Sequence, residues 1–87
     1  MADKLKIKFI ADPGHGWLQV HRGELVKYGI EAKISSFSYQ HGETVYLEED
    51  CDAAHYLNAL KADGIDVEFI EVFQDPTPIR NYPSYTH

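Results

Sequence analysis

Residues 43–64, ETVYLEEDCDAAHYLNALKADG, change their apolar period halfway along. Val45 and Leu47 alternate with Thr44 and Tyr46, which is the period of two of a half-buried strand. From Ala53 onward the apolar residues step by three and four, through Tyr56, Leu57 and Leu60, as on one face of a helix. Asp50 is the natural N-cap, several acids surround the positive end of the helix dipole, and Gly64 ends the helix. The stretch therefore predicts a strand at 43–48 and a helix over 50–63, and a strand leading into a helix sets the class as α+β.

Upstream, residues 32–39 are rich in Ile, Phe and Ser, and Gln40-His41-Gly42 separates them from the 43–48 strand, so the two runs predict a hairpin. Arg22 to Tyr28 predicts a short helix with Leu25 and Val26 inward and Gly29 as its cap. Residues 4–11 alternate Leu5, Ile7 and Phe9 with Lys4, Lys6 and Lys8, and outward lysines suit a strand at the edge of a sheet. A Pro-Gly turn at 12–16 leads into a short return strand, Trp17 to Val20. Downstream, Ile65, Val67, Phe69 and Phe73 predict a last strand; Ile70 and Val72 on its other side lead us to expect its far half buried on both faces. The proline-rich residues 74–87 are expected to lie extended across the body, held by Ile79, Tyr82 and Tyr85. The expectation is a single domain over 1–87 in the order ββαββαβ. It has two layers, a mostly antiparallel sheet of about five strands with the main helix and the short helix on one face.

Charge is distributed unevenly. Residues 43–75 hold ten carboxylates and one base, Lys61, whereas residues 1–42 hold six bases and four acids. The net charge of -6 argues against direct nucleic-acid binding and in favour of a basic partner or a cation. The 44% hydrophobic share is enough for a packed core, with a stability on the order of 5 kcal/mol. A single cysteine allows no internal disulfide, which fits a reducing cytoplasm. No apolar run approaches the ~20 residues of a membrane span, so no membrane association is expected.

Four constellations carry possible chemistry. Glu48, Asp50 and Asp52 alternate where strand passes into helix and His55 follows, a donor set of the kind hard cations take; the competing account is helix capping and a solvated acidic face. His15, between two glycines, suits a general base with Asp12 orienting its ring; the competing account is a turn that requires glycine, with Trp17 plugging the core. Cys51 sits among carboxylates that disfavour its thiolate, so a buried, inert cysteine is expected. Arg80, the only base after Lys61, is expected to pair with the acidic segment; the competing account is that the Arg- and Tyr-bearing run 78–85 docks on a partner chain. Gly14-His15-Gly16 lacks the third glycine and the Lys-Ser/Thr of a phosphate loop, and no cofactor is expected.

Asp12-Pro-Gly-His-Gly-Trp17, Tyr46-Leu-Glu-Glu-Asp-Cys-Asp52 and Pro78-Ile-Arg-Asn-Tyr82 together resemble small uncharacterised proteins of bacteriophages and bacterial mobile elements. The resemblance implies an accessory protein in the bacterial cytoplasm that binds a host protein. The expected function is docking on a basic surface, such as that of a nucleic-acid-binding or defence component, through Glu48, Glu49, Asp52, Asp66 and Glu68. The alternatives are a small divalent-metal enzyme using the 48–55 cluster and an oligomer-forming structural component.

Overall fold

The computed structural model describes residues 4–86. Five strands and two α-helices follow one another as β1 (Leu5–Ala11), β2 (Gly16–His21), α1 (Arg22–Lys27), β3 (Tyr39–His41), β4 (Thr44–Glu48), α2 (Ala53–Ala62) and β5 (Val67–Phe73). Two short 3-10 turns, Glu31–Lys33 and Pro78–Asn81, complete the regular structure. The strands form one sheet in the order β3-β4-β2-β1-β5.

The sheet is mixed, not mostly antiparallel. β1 pairs with β2, β2 with β4 and β4 with β3 in antiparallel fashion, but β5 runs parallel to β1 through seven registered pairs, Leu5–Val67 to Ala11–Phe73. The reason lies in the connections. β4 and β1 are both antiparallel to β2, so they point the same way, and β5 shares their direction. The segment containing α2 is thus a crossover between co-directional strands, which a helix can span and a tight turn cannot. By the same parity, the segment containing α1 joins β2 to its co-directional neighbour but one, β3.

This topology corrects two expectations about edges. β1 lies between β2 and β5, so its lysines are not edge guards. β5 is the edge strand, and Phe69, Ile70 and Phe73 are exposed rather than buried. The predicted first arm of the hairpin also shrinks. Only Tyr39–His41 is strand, because Ile34 turns into the core and Ser35 and Ser38 turn toward a buried carboxylate.

Both helices cover one face. Leu25 of α1 and Ala53, Tyr56 and Leu60 of α2 pack with Ile7, Leu18, Val20, Val45 and Leu47 from the sheet. The other face carries a smaller cluster of Ile10, Trp17, Tyr46 and Ile79, with Tyr82 packed against it. Residues after β5 therefore cover part of the face opposite the helices. They are tied by Gln40 N–H to Pro83 O (2.9 Å), Tyr85 N–H to Ser38 O (2.8 Å) and the Tyr85 hydroxyl to Glu31 O (2.5 Å). Tyr85 itself is buried in the helix-side core.

Gly16 is required by packing. A Cβ there would stand 2.4 Å from Phe9 Cζ, well inside contact distance. Gly16→Ala is expected to cost about 1–3 kcal/mol through overpacking. Urea unfolding checks this, and adding Phe9→Leu should recover part of the loss because the two sites touch.

Candidate functional site

The turn between β1 and β2 is built by Asp12. Its Oδ1 accepts from Gly14 N–H (2.9 Å) and His15 N–H (2.8 Å), an Asx-type turn that carries His15 onto the start of β2. The remaining capacity of the carboxylate goes to Arg80, whose Nε and Nη2 both donate to it. Arg80 therefore pairs with Asp12 and not with the acidic 43–75 segment. Asp12 orients a guanidinium, not the His15 ring.

The His15 ring meets Glu48 instead. Their atoms Nδ1 and Oε1 are 3.3 Å apart, across the β2–β4 ladder in which Trp17 pairs with Glu48. Glu48 is 6% exposed, and its Oε2 accepts from Asp50 N–H and Cys51 N–H, both at 2.9 Å. Two backbone donors thus fix this carboxylate where β4 turns toward α2. α2 begins only after that turn, with Asp52 and not Asp50 at its N-cap position and no side-chain cap bond.

Asp52 is buried, at 2% exposure. It accepts from Ser35 N–H (3.0 Å), the Ser35 hydroxyl (2.7 Å) and the Ser38 hydroxyl (2.5 Å), while Ser38 Oγ accepts from Glu48 N–H. It ties the loop before β3 to the start of α2. His55, Asp66 and Glu68 are exposed, and none of them is among the groups bonded to the Glu48 carboxylate, which are His15, Asp50 and Cys51. No group of three His, Cys, Asp or Glu side chains among the described residues is placed to hold a metal ion.

His15, Glu48 and Arg80 line one cleft of about 450 Å³. Trp17, Phe37 and Tyr39 form its aromatic walls, and Asp50 and Cys51 complete it. Trp17 meets Tyr39 edge-on with centroids 6.2 Å apart, and the Arg80 guanidinium lies 5.5 Å from the Trp17 ring centroid. Cys51 is exposed at this cleft, contrary to the expectation of burial. A hydrogen bond to Glu48, with the surrounding carboxylates, raises the thiol's pKa, so the protonated form is favoured and the group is a poor nucleophile.

A second, apolar groove of about 270 Å³ lies between α2 and β5, with Phe9, Leu57 and Phe69 among its walls and Glu49 and Glu71 facing it. Consecutive residues, Glu49 and Asp50, line the two hollows. Contact with Asp50 raises the Glu49 carboxyl's pKa, because two like charges are crowded together.

The meeting of His15 with Glu48 was legible in part. Glu48 follows Thr44 and Tyr46 on the outward face of its strand, and Trp17 alternates with the inward Leu18. The register that places them side by side has no local signal.

The ion pair at the turn has a pH consequence. Arg80, with two backbone N–H groups, holds the Asp12 carboxyl well below the usual carboxylate range. The native state resists protonation there while the unfolded chain protonates near pH 4. The pair's contribution is therefore complete above that pH and is lost as the pH falls toward the lower native value. Urea unfolding should show Asp12→Asn less stable than the parent at pH 7, with the gap narrowing from pH 4 downward. A gap independent of pH overturns the assignment.

No family model, curated protein or solved structure matches this chain.

Proposed function

We propose that the chain is a small acidic accessory protein of a phage or mobile element that docks on a basic surface of a host protein in the bacterial cytoplasm. The observation that carries this reading is charge left without a partner. Glu49, Asp50, Asp66, Glu68, Glu71 and Asp75 are exposed, and none forms an ion pair among the described residues. Beside them stand the exposed apolar side chains Phe69, Ile70 and Phe73 on a free sheet edge. Acid with adjacent apolar area suits a docking surface better than a purely solvated face, because burial supplies affinity while charge steers encounter. Of the carboxylates expected from sequence to meet the partner, Glu49, Asp66 and Glu68 face solvent. Glu48 and Asp52 are committed to internal bonds and support the surface from below. No helix among the described residues is long and apolar enough to cross a membrane.

Affinity capture from bacterial lysate over a salt series tests the proposal. The native chain should retain a discrete partner at low salt, and the triple variant Asp66→Lys, Glu68→Lys, Glu71→Lys should lose it. Equal retention by both proteins overturns the reading.

His15 and Glu48 support a second reading, a small hydrolase in which the carboxylate orients the imidazole as general base. Turnover of ester or phosphodiester substrates that disappears in His15→Ala would support it; no turnover by the native protein ends it.

A further inference from the structure

The cleft beside His15 combines aromatic walls with an excess of negative charge. Glu48, Asp50 and Arg80 are its charged lining groups, and Arg80 is already neutralised by Asp12. Asp50 faces the space unpaired and Glu48 adds its charge from below, held by two backbone N–H groups and the His15 ring, and no unpaired cation lines the cleft among the described residues. An anionic ligand would be repelled and a neutral one left indifferent, whereas a cation gains from both carboxylates and aromatic faces. The molecule already shows what these walls accept, since its own Arg80 guanidinium lies over the Trp17 ring. Trp17 is 1% exposed, so it backs the cleft from beneath, while Tyr39 and the more exposed Phe37 supply the aromatic surface an entering side chain would meet. Phe37, 67% exposed, leaves most of its ring available for contact with an inserted side chain.

We infer that this cleft receives an arginine side chain of the docked protein, its guanidinium between Tyr39 and Phe37 and its N–H groups toward Asp50. The inference rests on the docking proposal and names the contact that makes it specific. Arginine is favoured over lysine because its planar, delocalised cation stacks on rings and donates in a fork to a carboxylate.

The probes are N-acetyl-arginine amide and a short peptide with one central arginine, titrated into the whole protein. Binding is read by the fluorescence of the single tryptophan and by amide shifts at His15, Tyr39 and Asp50 in NMR spectra. Saturable changes are expected with both, more tightly for the peptide, and none with the neutral isostere N-acetyl-citrulline amide. Asp50→Asn and Tyr39→Leu should each weaken binding several-fold, with unchanged unfolding midpoints showing that the fold is intact. An equal response to citrulline, or no saturation with arginine, overturns the inference. Partner capture that survives such a failure leaves the docking proposal standing on the β5 side. Arginine binding without any captured partner removes the docking proposal and leaves a site for free guanidinium compounds.

Discussion

A chain truncated after Gln74 is expected to lose cooperative folding. Ile79 and Tyr85 are 2% and 3% exposed, and Tyr82 packs on the outer cluster, so the missing residues cover both faces of the sheet. Burying each such side chain is worth about 1.5–3 kcal/mol. Together they match or exceed the whole stability of a domain this size, on the order of 5 kcal/mol. Their loss also uncovers Trp17 and Tyr46 and breaks the Asp12–Arg80 pair. Circular dichroism during thermal unfolding should show no sigmoidal transition. A truncated chain that unfolds cooperatively near the parent's midpoint would show the segment to be dispensable.

The second large effect is expected at Asp52. Replacing it with alanine leaves the Ser35 amide and the hydroxyls of Ser35 and Ser38 without their acceptor, and Ser38 is fully buried. Stranded buried donors cost about 1–3 kcal/mol each, reduced where water or a rotated hydroxyl finds another acceptor. A net loss of about 3 kcal/mol is expected, lowering the melting temperature by roughly 12–24 °C for a domain of this length. Asp52→Asn keeps one acceptor oxygen and should lose less. If both variants unfold with the parent, Asp52 is not the tie between the β3 loop and α2.

The sequence makes visible those elements whose pattern is local. The periodicities of residues 4–11, 44–48 and 53–62 correspond to β1, β4 and α2, and Gly64, with φ of 73°, follows the main helix as a left-handed terminator. The run 32–39 misleads because β-prone composition says nothing about which side chains are drawn inward. Ser35 and Ser38 serve Asp52, and the backbone there turns accordingly. β5 misleads in another way. Its apolar residues on both sides read as burial, but its neighbour is β1, sixty residues earlier in the chain on one side, with no strand on the other among the described residues. The same distance hides the site. Asp12 meets Arg80 by topology alone, and His15 meets Glu48 through a strand register that has no local signal, so composition indicates an acidic surface but not the cleft beneath it.

The parallel pairing of the first strand with the fifth also governs when this molecule can assemble. A strand in the interior of the sheet waits for a neighbour translated much later, and the Trp17 face waits for Ile79 after that. Contacts so distant in sequence close slowly, because a large loop must be ordered before any reward is gained. During synthesis the emerging hairpin of the first two strands has no finished structure to join. The ribosome must deliver the fifth strand, and then Ile79, before the first strand has both neighbours and the Trp17 face is covered.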